Sequence, residues 1–204
     1  MAELKLTKTE LRIQQLKLTQ LRKYLPTLQL KKALLQLEVN EANEEILRKE
    51  KELVFVRERV ECFAALFSDQ AAHELFAAVA IQTVQKNYEN IAGIDIPLFE
   101  KVIFTEALYS LFDTPVWLDS AIVGVKELII VREQLSVCKE KKRVLEKELR
   151  EVSIRVNLFE KIMIPRALGN IRKIRIFLGD QQLASVAQAK VAKRKILERK
   201  KGLL

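Results

Sequence analysis

A seven-residue apolar repeat sustained over the first third of the chain constrains the fold more than any other feature. Counting from Leu4, it runs through Leu11, Leu18, Leu25, Lys32, Val39, Ile46, Leu53, Val60 and Phe67. Three residues on, a companion series runs through Thr7, Gln14, Leu21, Leu28, Leu35, Ala42, Lys49, Val56 and Phe63. Only Thr7, Gln14, Lys32 and Lys49 interrupt the two series, which together form the a/d pattern of a coiled-coil seam. A helix over 7–67 measures about 90 Å. A chain of 204 residues has no core that covers such a length, so the pattern demands a second long helix.

The second half supplies it. Ala121, Leu128, Leu135, Lys142, Leu149, Val156 and Met163 form one series, with Val131, Cys138, Leu145, Val152 and Phe159 as its companion. Asp113-Thr114-Pro115 reads as the start of this helix, with Thr114 as N-cap and Pro115 in the first turn. Thr7 and Glu10 have the spacing of a capping box at the start of the first helix. Pro26 predicts a kink rather than a break, because the repeat passes it in phase. Pro165, Gly169 and Gly179 predict a bent or segmented final helix, in which Ile171, Ile174 and Leu178 still mark an apolar face.

Two seams separated by a short insertion predict an antiparallel helical hairpin. Folding about residues 92–95 pairs positions whose numbers sum to roughly 185–190, placing Ile46 near Cys138–Glu140 and Pro26 level with residues 159–165. The same fold puts Cys62 and Cys138 about 20 Å apart along the axis, too far for a disulfide. The expected class is all-α: a long antiparallel two-helix coiled coil with a small middle insertion. The expected divisions are 1–68 for the first helix, 69–113 for the insertion and 114–204 for the second helix with a basic tip. Within the insertion, Gln70–Lys86 reads as a short apolar helix. Asn90–Glu100 reads as a strand or hairpin arm around Gly93, with Pro97 at an edge or strand end. Val102–Phe112 is open between strand and helix.

The net charge of +9 sits at the two ends. Residues 1–32 carry +6 and residues 190–204 carry +6, leaving −3 between them. In the folded hairpin the chain beyond Lys190 has no partner and projects as a single basic helix. Basic tails bind nucleic acid, anionic membranes or acidic protein surfaces, but the aromatic interleaving of single-strand binders is missing. No stretch has the length and apolarity of a membrane span, and the start lacks a signal-peptide pattern. A cytoplasmic chain is expected, peripheral to a membrane through other subunits.

Candidate chemistry is sparse. His73 is the single histidine and has no second ligand a turn away, so a solvated or capping role outweighs metal or base chemistry. Cys138 falls on the second seam and reads as packing. No Gly-rich phosphate loop, nucleophile elbow or paired-carboxylate site stands out. The expectation is a non-enzyme without a cofactor or metal.

Three separated patches carry a resemblance. Leu6-Thr7-Lys8-Thr9-Glu10-Leu11 resembles the opening of the D subunits of the V-type and archaeal A-type rotary ATPases, with Leu6 where that family usually has proline. Asn90-Ile-Ala-Gly-Ile-Asp-Ile-Pro-Leu-Phe-Glu100 resembles its middle segment. Arg155-Val156-Asn157-Leu158-Phe159-Glu160, followed by Ile162-Met163-Ile164-Pro165-Arg166, resembles its C-terminal signature.

The resemblance implies a central rotor shaft, coupling ATP hydrolysis or synthesis in a head of alternating A and B subunits to proton or sodium transfer through a membrane ring. It implies an F subunit alongside the shaft, a socket subunit above the ring, and no direct nucleic-acid partner. Under it, Thr7, Lys8, Glu10, Leu11, Lys193, Arg194 and Lys195 contact the head bearing, and Asn90, Gly93 and Pro97 belong to the foot. The alternative class is a free-standing coiled-coil scaffold or a basic nucleic-acid-binding protein, which has no need of the Gly93/Pro97 patch.

Overall fold

The computed structural model describes residues 4–68, 72–105 and 114–201. Helix α1 spans Lys8–Glu61, a 3₁₀ turn follows at Ala64–Ser68, and the short α2 covers Ala72–Ala78. Strands β1 (Ile81–Ile91) and β2 (Ile94–Phe104) form a two-stranded antiparallel sheet. Helix α3 (Trp117–Asn157) passes through a π-helical stretch, Leu158–Met163, into α4 (Ile164–Lys201). The chain divides into two compact units, residues 31–151 and residues 1–30 with 152–204.

In the unit of residues 31–151, α1 and α3 run antiparallel. Ion pairs join Lys31 to Glu148 (3.3 Å), Glu45 to Lys141 (3.3 Å), Glu50 to Lys139 (2.9 Å) and Arg59 to Glu127. As α1 numbers rise, α3 numbers fall, close to the expected mirror. Solvent-accessible pairs of this kind contribute roughly 0–1 kcal/mol each, so they mark the register more than they stabilise it. The stabilising term is the seam: Leu35, Val39, Ala42, Ile46, Val56 and Val60 are buried from α1, and Val131, Leu135, Cys138 and Leu145 from α3. Ile46 packs with Leu135 and Cys138, as the folding point requires. At the other end of this unit, Leu75, Ala78 and Val79 form a cluster with Leu118, Ala121 and Ile122.

The insertion departs from the expectation at its helix and at the start of α3, and its open segment takes one of its two forms. The Gln70–Lys86 helix stops at Ala78, and Ile81–Lys86 belongs to β1 instead. The reason is non-local: Ile81, Thr83 and Val84 pair across the sheet with Phe104, Ile103 and Val102, and Thr105 N–H donates to the Ala80 carbonyl at the hairpin base (2.9 Å). The ambiguous segment after Glu100 is strand as far as Phe104; residues 106–113 lie outside those described. Lastly, α3 starts at Trp117, two residues past the expected first turn. Leu118 N–H donates to the Pro115 carbonyl (3.0 Å), a tighter three-residue closure preceding the α-helix.

In the other unit, Leu21, Val152, Val156, Ala167, Ile171 and Ile174 are buried. Thr7 Oγ1 accepts the Glu10 N–H (3.2 Å), as a cap should. The reciprocal half of the box is replaced: Glu10 Oε1 accepts Gln14 Nε2 (2.9 Å) instead. Pro26 lies inside unbroken α1, and neither Gly169 nor Gly179 interrupts α4. The irregularity sits just before Pro165. A regular turn would drive the proline ring against the Lys161 carbonyl; the wider π turn opens that spacing.

Candidate functional site

The π stretch inserts one residue into the seam. Up to Met163, both second-half series repeat every seven residues and every member is at least half-buried. The next members in phase are Arg166, Asn170 and Lys173, and none of them is buried. The buried residues are Ala167, Ile171 and Ile174, each one position later. On α1 the seam positions from Leu11 to Val60 keep a single phase and are all buried or half-buried. Sequence reasoning missed this insertion, although the eight-residue step from Met163 to Ile171 is its visible signal.

Beside the insertion lies a groove of about 700 Å³, with Glu10, Gln14 and Lys17 on one side and Leu158, Ile162 and Arg166 on the other. Pro165 therefore stands level with this stretch of α1. Pro26 lies nine residues beyond Lys17, about 14 Å farther along the axis, so the two prolines are not at one height as the folding point implied.

The resemblance residues fall into several settings. Val156 is buried in the seam and Ile164 half-buried, whereas Pro165 and Arg166 are exposed, with Arg166 lining the groove. Arg155 and Asn157 are exposed on the last turn of α3. Lys8 and Thr7 are exposed at the start of α1, with Glu10 and Leu11 half-buried behind them. Lys193, Arg194 and Lys195 are exposed on α4, where Arg194 Nε lies 3.7 Å from Glu198 Oε1. No hydrogen bond or ion pair among the described residues joins this basic run to Thr7–Leu11.

Asn90, Gly93 and Pro97 build the hairpin. Ile91 pairs with Ile94, leaving Ala92 (φ 54°) and Gly93 (φ 80°) as the two turn residues. Positive φ at both marks a type I′ turn, whose twist suits the flanking strands. Asn90 locks it: Oδ1 accepts Gly93 N–H (3.0 Å), and Nδ2 donates to Asp95 Oδ1 (2.7 Å). Pro97 pairs with Tyr88, a non-hydrogen-bonded pair counted from the turn, so its missing N–H faces away from β1.

The hairpin is tied to α3 by Lys86 and Glu140 at 2.5 Å, and that hydrogen bond holds the lysine pKa above its ordinary value. Pro97, Leu98 and Phe99 face Gln134, Val137 and Cys138 across a cavity of about 290 Å³. Burial, followed by the nearby Glu45 carboxylate, pushes the Cys138 thiol up to about 11. A thiol held protonated in this way is a packing group rather than a nucleophile.

Among the described residues, no group of three or more His, Cys, Asp and Glu is placed to hold a metal ion. The side chain of His73 lies outside the described residues. No helix among them is long and apolar enough to cross a membrane.

The geometry is therefore that of a helical chain with a hairpin and exposed apolar faces, which is the chemistry of assembly. Comparison with known proteins agrees. The family model for the D subunit of ATP synthase matches residues 10–194. The V-type ATP synthase D subunit of Chlamydia caviae is 44% identical over 200 residues, covering 98% of this chain and 96% of the relative. The corresponding protein of Chlamydia pneumoniae is 44% identical over 199 residues, 97% and 95% of the two chains. That of Chlamydia muridarum is 44% identical over 203 residues, 98% of each. The match takes in both seams, the hairpin and the π stretch, and the chain belongs to the family of ATP synthase D subunits.

Proposed function

We propose that the chain is the central-stalk rotor of a V-type ATP synthase. In this role it couples ATP hydrolysis or synthesis in a head of A and B subunits to proton or sodium translocation through a membrane ring. The single observation that carries this reading is the surface of α4. Every residue from Asp180 to Arg199 is exposed, yet Leu183, Val186, Val191, Ile196 and Leu197 are large and apolar. At 100° per residue, Val191, Ile196 and Val186 stand about 80°, 220° and 300° around the axis from Leu183. A helix that docks on one partner carries one apolar stripe. Apolar residues on all sides suit a helix enclosed by a surrounding ring.

Lys193, Arg194 and Lys195 sit on the same helix, where weak, salt-screened attraction centres a moving surface without gripping it. Thr7, Lys8, Glu10 and Leu11 are assigned to the same bearing. Arg155, Val156, Asn157, Ile164, Pro165 and Arg166 are assigned to the shaft, and Asn90, Gly93 and Pro97 to the foot. The divisions are 1–68 and 114–204 as shaft helices and 69–113 as foot. An F subunit alongside the shaft and a socket subunit above the ring complete the partner set; the chain meets the membrane only through the complex and itself performs no catalysis.

Deleting Lys193–Leu204 tests the enclosure. The truncated chain should fold and bind the F subunit normally but deliver less torque and less ion transport per ATP in reconstituted complexes. Unchanged torque would remove this helix from the mechanism, and lost binding of the F subunit would place it at the wrong end.

A further inference from the structure

The groove at the π stretch has features that the fold alone does not require. A coiled coil could pass this point without the inserted residue, because losing one residue would return Ala167, Ile171 and Ile174 to the seven-residue phase. The insertion instead leaves the seam in transition, and no residue of Leu158–Met163 is buried. Leu158 and Ile162 are 40% and 56% exposed and line the groove together. Such insertions concentrate at functional sites.

The electrostatics here are one-sided. Lys5, Lys17 and Arg166 line the groove, against the single carboxylate of Glu10. That carboxylate already accepts from Gln14 Nε2, and the three cations have no ion-pair partner among the described residues. Exposed apolar residues lining one groove with three cations match a segment with one large apolar side chain flanked by Asp or Glu. This is the anchor-and-rim arrangement of protein interfaces. A phosphate or other small anion would leave Leu158 and Ile162 uncovered.

We infer that the groove is a docking site for an acidic, apolar-anchored segment of a subunit surrounding this part of the chain. The inference rests on the rotor reading above. It assigns Lys17 and Arg166 to partner carboxylates, and Leu158 and Ile162 to the partner's apolar anchor.

The test uses the complete complex. Replacing exposed Ile162 by the photo-cross-linker p-benzoyl-L-phenylalanine should capture a peptide of a neighbouring subunit that contains a large apolar residue beside Asp or Glu. The double variant Lys17→Glu/Arg166→Glu should weaken association of the chain with its complex by at least about tenfold, with a smaller salt dependence. Reversing the charge of the captured carboxylate should restore it. A cross-link to the chain's own α1, to a segment without carboxylates, or to nothing overturns the inference, as does unchanged affinity. If the unmodified chain is not retained in the complex at all, the rotor reading fails and the groove inference falls with it. If the chain is retained and the cross-link lands elsewhere, only the groove inference fails.

Discussion

The amide of Ile164 donates to the carbonyl of Phe159, five residues back instead of four. That one bond marks the extra residue that moves the seam from Arg166, Asn170 and Lys173 to Ala167, Ile171 and Ile174. Deleting Glu160 should therefore be tolerated, because the helix can close as a regular α-helix with the same apolar residues inward. Pro165 would then meet a regular turn, so a cost of up to about 3 kcal/mol is expected, relieved by adding Pro165→Ala. Deleting Glu146 from the regular part of α3 should cost more, because it rotates a whole stretch of seam by about 100°. Thermal unfolding compares the two deletions; equal losses would contradict the insertion.

Seam burial makes a second contrast. Leu145 is 0% exposed and Leu37 53% exposed, although both are leucines on long helices. Leu145→Ala should cost about 2–5 kcal/mol, whereas Leu37→Ala should stay within about 0.5 kcal/mol. Denaturant titration of the two variants checks this.

α1 and α3 approach closely at Gly124, where an added Cβ would lie 3.2 Å from Val60 Cγ2. Gly124→Ala gains roughly 0.5–1 kcal/mol of helix propensity and gives part of it back in the tight contact. The expected net change is near zero. Gly124→Leu overfills the same space and should cost about 1–3 kcal/mol.

Ala92 holds a left-handed conformation at φ 54°, which costs a side-chain-bearing residue roughly 1 kcal/mol. Ala92→Asn should stabilise the hairpin by up to that amount, since Asn-Gly suits a type I′ turn. Gly93→Ala should destabilise it similarly. Amide exchange across β1 and β2 reads both changes.

Cys62 is exposed and Cys138 buried, and both are free. At about pH 8, near the ordinary thiol range, a thiol reagent should label Cys62 promptly and Cys138 only on opening of the fold. Because the Cys138 pKa is raised to about 11, its contribution to stability is complete below the ordinary thiol range. That contribution is lost as pH climbs through about 11. Cys138→Ala should flatten the alkaline end of the stability profile; an unchanged slope would contradict the assignment.

The two seams were legible because a helix–helix interface needs only local periodicity, and Leu11 through Val60 keep one phase. β1 was not, because Ile81–Lys86 becomes strand through partners far along the chain, while the preceding Ala77-Ala78-Val79-Ala80 favours helix. The turn was legible at Gly93 but not at Ala92, where alanine gives no hint of positive φ. Asn90 drew attention as part of a resemblance, and the structure supplies its physical reason in the two bonds that lock the turn. The groove was hidden for a different reason: Lys17 and Arg166 read as ordinary surface charge until the inserted residue brings apolar groups beside them.

The proposed rotation of the chain within its complex is tested most directly with a probe on the hairpin. A bead attached through Tyr88→Cys, in a Cys62→Ala background, reports on the chain while the A/B head is fixed to a surface. On addition of ATP the bead should advance in one direction, at a rate that follows ATP turnover. A bead that stays fixed relative to the head while ATP is hydrolysed at the same rate would contradict the rotor assignment.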